Sequence, residues 1–454
     1  MSKKGNGKKF KRFPQKTIRE QELDEVIDFE IELCNEDITP HGGLAPAARF
    51  LDSIGLRKMI DMYLPKPGSN RGFKTWKYLY ILCLMFLGGG RHIEDIREVT
   101  NDRGLMKVLK MKGTPSYSTM GDWLRRLGTK GSLGLKAVNK QLFKILAKKS
   151  NVTTKDLTLW LDSTVIESGK YGAEMTYKGF PGYNPHIGVI REFKYILNYK
   201  FRNGNKSPSG GINDFFKDTE SYLPEGYKIG KLIADSAYYN SDIFNHCFNK
   251  DIKFCITADK DASVLGSIST INNWRPYINK YGNDTKREIG DTIHTMTKTE
   301  KSFRLIVLRE LRDQLSLFNE GVYSYHIVAT NLDDPGEEVI YKHNKTGEME
   351  KCLDELKNGF NASYIPTDDF GANDFYFAIS ILAYNIFILI KHLILPLSWR
   401  NKTIATFRWA LIELGAKITF HGRRLFMKIS ATVEKFKTYI YIFDRLKKLC
   451  KASL

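Results

Sequence analysis

The sequence has few cysteines, and none of them is spaced like a metal ligand or a redox pair. Its six cysteines are scattered along 454 residues without a CxxC or a Cys/His pairing. That distribution argues against a zinc site and against the disulfide framework of a secreted protein, and it predicts a reducing, intracellular compartment. The sequence also contains no HExxH zinc-binding motif. It contains no GxxxxGK(S/T) phosphate-binding loop either, so we expect no nucleotide cofactor.

The sequence also lacks a secretory signal and a clear membrane span. Eight Lys and Arg side chains precede the first acid, Glu20, with no apolar stretch among them, which predicts a basic arm that contacts DNA or stays solvated. One run, Phe375 to Ile390, is almost wholly apolar but contains Asn385. It reaches only ~24 Å as a helix, short of the ~30 Å hydrocarbon core. We therefore predict a buried core helix and no membrane partner.

Acidic residues are in short supply relative to basic ones. The chain has 70 Lys and Arg against 51 Asp and Glu, for a formal net charge of +19. Such an excess favours a polyanionic partner, although basic soluble proteins of other kinds share it. At 454 residues with 42% hydrophobic content, the chain is long enough for two or three domains with real cores.

Two short apolar runs each end on an aspartate followed by serine. Leu159-Trp160-Leu161 leads into Asp162, and Leu232-Ile233-Ala234 leads into Asp235. Short runs of this kind are typical of strands that are buried on both faces, and a carboxylate at the end of such a strand lies at the edge of the sheet. Two such ends can share one divalent metal ion.

Glu350 is the candidate third acid, in a stretch of good helix formers from Gly347 to Phe360. Two aspartates on strands and a glutamate on a helix supply the hard oxygen ligands that two-metal phosphoryl chemistry needs. We expect two Mg²⁺ or Mn²⁺ ions, ~3.5–4 Å apart, that activate the attacking oxygen and stabilise the leaving oxygen. Glu348 and Glu355 are alternative third acids.

The order of apolar runs predicts an α/β fold. An RNase H-like mixed sheet with flanking helices is expected, interrupted by a β-rich insertion and preceded by an all-helical domain. The core strands are predicted at 157–165, 187–190, 195–201, 229–234 and 252–256, with a helix near 212–222. The predicted domains are 1–36 (basic arm and acidic linker), 37–150 (helical, DNA-binding), 151–260 (catalytic core, first part), 261–341 (β-rich insertion), 342–400 (catalytic core, second part) and 401–454 (helical, basic-aromatic tail).

A candidate DNA-reading element lies at 114–127. Ser116 is a helix N-cap signal, and the helix it starts ends near Arg125 and Arg126. This is compatible with a helix-turn-helix in which both arginines contact DNA. An ordinary amphipathic helix is the alternative, and the pattern alone slightly favours it.

Several segments, taken in order, resemble the DDE transposases of bacterial insertion sequences, specifically the cut-and-paste group with a β-strand insertion in an RNase H-like core. The similarity runs from 38–44 through Leu161-Asp162-Ser163 and Ala234-Asp235-Ser236 to Phe370-Gly371-Ala372-Asn373, with further pieces at 182–186 and 202–205. The resemblance implies that Asp162, Asp235 and Glu350 bind the catalytic metals.

The family signature around the glutamate is Tyr, two residues, Arg, three residues, Glu, six residues, Lys. Aligned on Glu350, the lysine matches as Lys357, which is implied to contact DNA, whereas His343 replaces the tyrosine and Thr346 the arginine. Threonine cannot provide the bidentate grip of arginine on a phosphate, so Lys342 or Lys345 is a candidate substitute.

Trp274, in the insertion, is a candidate for receiving a flipped base, as an aromatic residue does in related enzymes that pass through a DNA hairpin. The alternative is a plain core tryptophan.

The resemblance also implies a function, a partner and a location. The protein is expected to dimerise on the terminal inverted repeats of its element, to cut double-stranded DNA there and to join the ends to target DNA, in a bacterial cytoplasm at the nucleoid. Two alternatives are a transposase-derived DNA-binding protein without catalytic activity, and a nuclease on the same core that cuts without joining.

Overall fold

The structure, a computed structural model, describes residues 30–68, 72–311, 322–345 and 347–451. The predicted basic arm before residue 30 and the signature position Thr346 lie outside these ranges. Residues 30–37 form neither helix nor strand, and the chain from Ile38 onward forms one compact unit.

The core strands follow one another along the chain in the order that the apolar runs predict. In chain order they are β1 (Ile38–Thr39), β2 (Asp156–Ser163), β3 (Ile166–Glu167), β4 (Glu174–Met175), β5 (Pro181–Tyr183), β6 (His186–Ile190), β7 (Tyr195–Lys200), β8 (Lys228–Ala234), β9 (Lys253–Thr257), β10 (Arg275–Ile278), β11 (Asp284–His294), β12 (Phe303–Leu311), β13 (Tyr323–Thr330), β14 (Ala416–His421) and β15 (Arg424–Ile429). The five predicted core strands correspond to β2, β6, β7, β8 and β9 and are confirmed to within one or two residues.

The helices flank the sheet and fill both termini of the compact unit. They are α1 (Leu44–Ser53), α2 (Leu56–Tyr63), α3 (Thr75–Gly88), α4 (Ile96–Thr100), α5 (Arg103–Leu109), α6 (Tyr117–Lys149), α7 (Ile212–Ser221), α8 (Ser241–Asn249), α9 (Ala262–Ser269), α10 (Gly336–Asn344), α11 (Gly347–Asp354), α12 (Phe370–Leu393), α13 (Ile404–Phe407) and α14 (Val433–Lys451). Short 3₁₀ turns lie at 93–95, 236–238 and 397–399, and π-helical turns at 355–359 and 408–412.

A mixed sheet of nine strands organises the molecule, in the order β10-β11-β12-β13-β9-β8-β2-β6-β7. Within it, β8 is parallel to both β2 and β9, whereas β6 is antiparallel to both of its neighbours, β2 and β7. If the five core strands β2, β6, β7, β8 and β9 are numbered 1 to 5 along the chain, their order across the sheet is 3-2-1-4-5, so the first and fourth strands are neighbours. This arrangement confirms the expected α/β class with a mixed sheet, and it brings the ends of β2 and β8 side by side.

The β-rich segment after β9 extends the central sheet. Strand β13 pairs antiparallel with β9, with Val328 opposite Thr257 and Thr330 opposite Cys255. Strands β12, β11 and β10 then continue outward as an antiparallel meander. The segment is β-rich as predicted, and its backbone hydrogen bonds join it directly to the core.

Helix α12 is the apolar run predicted to be a core helix. It is long and apolar enough to cross a membrane by length and composition, but nearly all of it is buried among other elements of the unit. Asn385 explains its polar interruption: its amide hydrogen-bonds the Asn139 side chain at 2.7 Å and the Ile196 backbone at 2.8 and 3.0 Å. These bonds tie α12 to α6 and β7, so the buried amide is satisfied.

Helix α6 covers the predicted DNA-reading helix and continues beyond it to Lys149. It begins at the predicted N-cap, where Ser116 accepts a hydrogen bond from the Thr119 backbone at 3.3 Å. At Gly128 the backbone leaves the helical region, with φ of +43° and ψ of −137°. A positive φ of this kind is accessible to glycine at low cost, so the helix kinks one residue beyond the predicted end.

Candidate active site

The two aspartates end neighbouring parallel strands. Residues Leu157 to Leu161 of β2 are buried, as expected for a strand covered on both faces. Leu161 lies opposite Ala234 in the parallel register of β2 and β8. Asp162 and Asp235 are the next residue of each chain segment, so both carboxylates lie at the same edge of the sheet.

Backbone hydrogen bonds orient each carboxylate. The backbone N–H of Ser163 donates to Asp162 Oδ1 at 2.7 Å, and that of Ala237 donates to Asp235 Oδ1 at 3.1 Å. Asp235 also caps the 3₁₀ turn that follows β8. Each aspartate therefore has one oxygen held by the chain and further lone pairs left for a ligand.

The pKa values of both aspartates are raised. Burial, the charge of Asp235 and, to a smaller extent, the charge of Glu350 raise the pKa of Asp162 to about 7, against the Ser163 N–H and the Lys357 ammonium, which lower it. Burial also raises the pKa of Asp235, with a further contribution from Asp259. Like charges brought together at a partly desolvated edge favour a bound cation, because it neutralises both carboxylates.

Lys357 lies beside this pair, as the signature spacing predicts. Its Nζ donates to the backbone carbonyl of Val165 at 3.4 Å, just beyond β2. Burial lowers the pKa of Lys357, while the charge of Asp162 raises it. The Lys357 ammonium is thus a positive charge at this edge of the sheet that is suited to contacting a phosphate.

Glu350 and its two rivals have different surroundings. Glu350, on α11, is exposed, and its charge acts on Asp162. Glu355 instead accepts a hydrogen bond from the Ile404 backbone at 2.7 Å, at the start of α13. Glu348 and Glu355 both line a cavity of about 430 Å³ next to α13. Among the three candidate glutamates, Glu350 is the one whose charge reaches the aspartate pair.

The donor set fits a hard divalent cation in part. Carboxylate oxygens at a strand edge are the ligands that Mg²⁺ and Mn²⁺ prefer, and the repulsion between Asp162 and Asp235 is what such an ion relieves. Within the part of the chain that the structure describes, no three His, Cys, Asp or Glu side chains are close enough to form a metal-binding group. The charge of Glu350 acts on Asp162, but Glu350 does not complete a ligand set with the two aspartates.

The other signature positions have structural neighbours. His343 is buried and its Nε2 lies 3.0 Å from Thr257 Oγ1; burial and the nearby His326 lower its pKa to about 4. Lys342 pairs with Asp334 at 2.8 Å, and the ammonium of Lys345 lies 4.7 Å from the ring centroid of Tyr341. Neither lysine is poised as a simple replacement for the arginine of the signature.

The remaining candidates lie away from the acid pair. Arg125 and Arg126 are both exposed on α6, and Arg125 pairs with Asp122 at 3.3 Å. Trp274 is half-buried, with the Arg309 guanidinium 4.0 Å from its ring centroid. A base stacking on that face would have to displace Arg309.

Two residues near the site were not predicted from the sequence. Asp259 follows β9, the parallel neighbour of β8, and its charge raises the pKa of Asp235; the strand-end rule that found the first two acids could have found it. Tyr177 lies on the β4–β5 hairpin, and burial and then the charges of Asp235 and Asp162 raise its pKa. The sequence carries no signal for Tyr177, because its position depends on the fold.

Two aspartates at adjacent parallel strand ends, with a lysine and a third acid close by, are typical of enzymes that transfer phosphoryl groups with bound metal ions. The family comparison makes the class specific. The model of the family "Transposase DDE domain group 1" matches residues 28–451, and the chain belongs to this family. It is a DDE transposase, an enzyme of the DNA-cutting and strand-joining class. Enzymes of this family normally use divalent metal ions.

A search of curated proteins finds no match to this sequence. Among solved structures, the chain is similar to a cryo-EM structure of the piggyBac transposase synaptic complex with hairpin DNA, with 10% sequence identity and a TM-score of 0.41. The similarity covers 90% of this chain and 78% of that one. At this level the residue assignments rest on the geometry of this chain alone.

Proposed function

We propose that this transposase cuts double-stranded DNA at the terminal inverted repeats of a bacterial insertion sequence and joins the ends to target DNA. Asp162, Asp235 and Glu350 are its proposed catalytic acids, and they would hold two Mg²⁺ or Mn²⁺ ions. The observation that carries this proposal is the pair of like-charged carboxylates at the ends of β2 and β8, with Lys357 beside them.

The chain's own residues prepare the site for a phosphodiester. The Ser163 and Ala237 backbone N–H groups fix the orientation of the two aspartates. Lys357 supplies a positive charge next to Asp162 and offers a contact for a phosphate oxygen. When bound, the two ions would activate the attacking oxygen and stabilise the leaving oxygen of an in-line displacement.

The same proposal covers the substrate and the assembly. A homodimer on DNA brings two transposon ends together, and the net charge of +19 suits that polyanion. Arg125 and Arg126, exposed on α6, are proposed backbone contacts, and Trp274 is the proposed acceptor of a flipped base. An enzyme of this kind acts at the bacterial nucleoid.

The direct test is cleavage and joining of a plasmid that carries the gene's own flanking DNA, with Mg²⁺ or Mn²⁺. We expect excision and joining by the native chain, and none by Asp162→Ala. Binding without cleavage by the native chain would overturn the catalytic proposal, and cleavage without joining would reduce it to a nuclease.

A matched pair of variants tests the third acid. Glu350→Gln should abolish cleavage, whereas Glu355→Gln should retain it, because the amide oxygen of glutamine can still accept the hydrogen bond from Ile404. The reverse outcome would assign the role to Glu355.

A further inference from the structure

The hairpin formed by β4 and β5 carries an exposed aromatic side chain close to the acid pair. Tyr177, at the tip, is 59% exposed. Strand β5 pairs antiparallel with β3, with Ile166 opposite Tyr183, and β3 begins three residues after Ser163. The hairpin is therefore attached next to the end of β2 that carries Asp162, and the charges of Asp235 and Asp162 both act on the Tyr177 hydroxyl. An exposed ring in this position is free to stack on a base.

The tip of the hairpin also carries a cation. Lys178 is exposed, its Nζ lies 6.0 Å from the ring centroid of Tyr177, and its charge acts on Lys357. The Tyr177 ring and the Lys178 ammonium thus lie side by side on the hairpin that is attached next to the end of β2. A ring and an ammonium side by side match the two parts of a nucleotide, a base and a phosphate.

The turn holds this tip in one conformation. The backbone N–H of Thr176 donates to the Phe180 carbonyl at 2.9 Å, and that of Gly179 donates to the Thr176 carbonyl at 3.0 Å. The Thr176 hydroxyl donates to the same Phe180 carbonyl at 2.7 Å. Gly179 has a φ of +84°, which a residue with a side chain adopts only under strain.

The base of the hairpin is attached to the segment after β7. The Asn203 amide donates to Glu174 Oε1 at 3.2 Å. A Cβ on Gly204 would lie 2.3 Å from the Glu174 carbonyl oxygen and 2.5 Å from that of Gly182, so the two backbones are in close contact. The tip is therefore presented from a braced support, and little ordering remains to be done when a ligand binds.

We propose that Tyr177 and Lys178 form a subsite for the nucleotide next to the phosphate that the acid pair cleaves. Tyr177 stacks on its base and Lys178 contacts the neighbouring phosphate. The inference rests on the proposed function, because it takes the acid pair as the place where DNA is cut.

The test first maps the cleavage position. It then asks whether the Tyr177 ring and one DNA base contribute to the cleavage rate through the same contact. Substrates carrying an abasic site at each of the two nucleotides on either side of the cut are compared with intact DNA, for native protein, Tyr177→Ala and Tyr177→Phe. Tyr171→Ala is the matched control, because Tyr171 is also exposed, at 89%, in the loop before β4.

We expect Tyr177→Ala to slow single-turnover cleavage about fivefold or more, from the loss of one stacked base. Tyr177→Phe and Tyr171→Ala should match the native rate. At one position, an abasic site should slow the native protein equally and leave Tyr177→Ala unchanged. Equal rates for native protein and Tyr177→Ala, or additive losses at all four positions, would overturn the subsite.

A binding measurement separates this inference from the proposed catalytic function. The fluorescence of 2-aminopurine at the same position should be quenched when the DNA binds Asp162→Ala protein. The quenching should be lost in the double variant that carries both Asp162→Ala and Tyr177→Ala. If the native chain binds DNA but never cleaves it, the proposed function fails; 2-aminopurine is then placed at each nucleotide of the bound DNA in turn, and loss of quenching at one position in Tyr177→Ala protein still decides whether the ring stacks on a base. Unchanged quenching would overturn it.

Discussion

Replacing Asp162 by asparagine should stabilise the metal-free protein at alkaline pH, even though it removes a proposed catalytic group. The reason is the raised pKa of this carboxyl in the folded chain, which burial and the charge of Asp235 produce. An acid whose pKa is raised by folding does not reduce the free energy of unfolding at pH values below its ordinary pKa. The reduction grows as the pH rises from the ordinary pKa to the pKa in the folded state, and it then stays constant.

The size of the effect follows from the two pKa values. A rise from 3.8 to about 7 in the folded state corresponds to a cost of about 4 kcal/mol once the carboxyl is fully ionised. About 2.5 kcal/mol of this is expected to develop between pH 5 and pH 8, because ionisation in the unfolded chain is nearly complete at pH 5. Asparagine, which does not ionise, avoids this cost.

The assay is urea unfolding in EDTA at pH 5, 6.5 and 8. The free energy of unfolding of Asp162→Asn minus that of the native chain should be about 2.5 kcal/mol larger at pH 8 than at pH 5. Asp122→Asn is the control for the loss of a carboxylate elsewhere, since the Asp122 side chain is 82% exposed on α6, and it should not reproduce the change of about 2.5 kcal/mol. Parallel curves for native protein and Asp162→Asn would refute the burial and repulsion assigned to Asp162.

Magnesium supplies a second arm of the same experiment. An ion bound between Asp162 and Asp235 stabilises the folded state by about 2.7 kcal/mol at a hundredfold excess over its Kd. Native protein should gain stability on titration with Mg²⁺ at pH 8, whereas Asp162→Asn should gain much less. Equal gains would place the ion elsewhere.

Three further substitutions test separate parts of the structure. Lys357→Ala should slow single-turnover DNA cleavage about tenfold or more, because a charge-assisted contact to phosphate is lost, and a native rate would refute the contact. Asn385→Ala should lower the free energy of unfolding by about 3 kcal/mol, since its buried bonds to Asn139 and Ile196 are lost; a loss below ~0.5 kcal/mol by urea unfolding contradicts this. Trp274→Ala should reduce processing of transposon ends about fivefold or more if the ring receives a base, and unchanged processing rules that role out.

The central strands and their acids were predictable because their signals are local. A short run such as Leu159 to Leu161 is apolar at every position, since β2 is covered on both faces. The carboxyl end of such a strand has a fixed place at the sheet edge, so the amino-acid sequence puts Asp162 and Asp235 at strand ends, whereas the parallel pairing of β2 with β8 brings them together. The apolar run around Asn385 was equally visible, although the full helix is long enough to cross a membrane and it is burial inside the unit that makes it a core helix.

The third acid was harder to assign from spacing. Glu348, Glu350 and Glu355 lie within eight residues, and the signature matches only at Lys357. Which one lies near the aspartates is settled by contacts between distant parts of the chain, such as the hydrogen bond from Ile404 to Glu355.

The sequence by itself therefore determined which segments form the core strands along the chain, the two strand-borne acids, the buried core helix and the basic character that suits DNA. Only the tertiary structure decided that β13 joins β9 in one sheet, that Glu350 is the glutamate whose charge reaches Asp162, and that Tyr177 stands beside the acids. The physical reason is the distance along the chain over which each kind of interaction acts. Strand burial and helix propensity act over a few residues, whereas sheet pairing and the meeting of charged side chains depend on contacts between residues far apart in the chain.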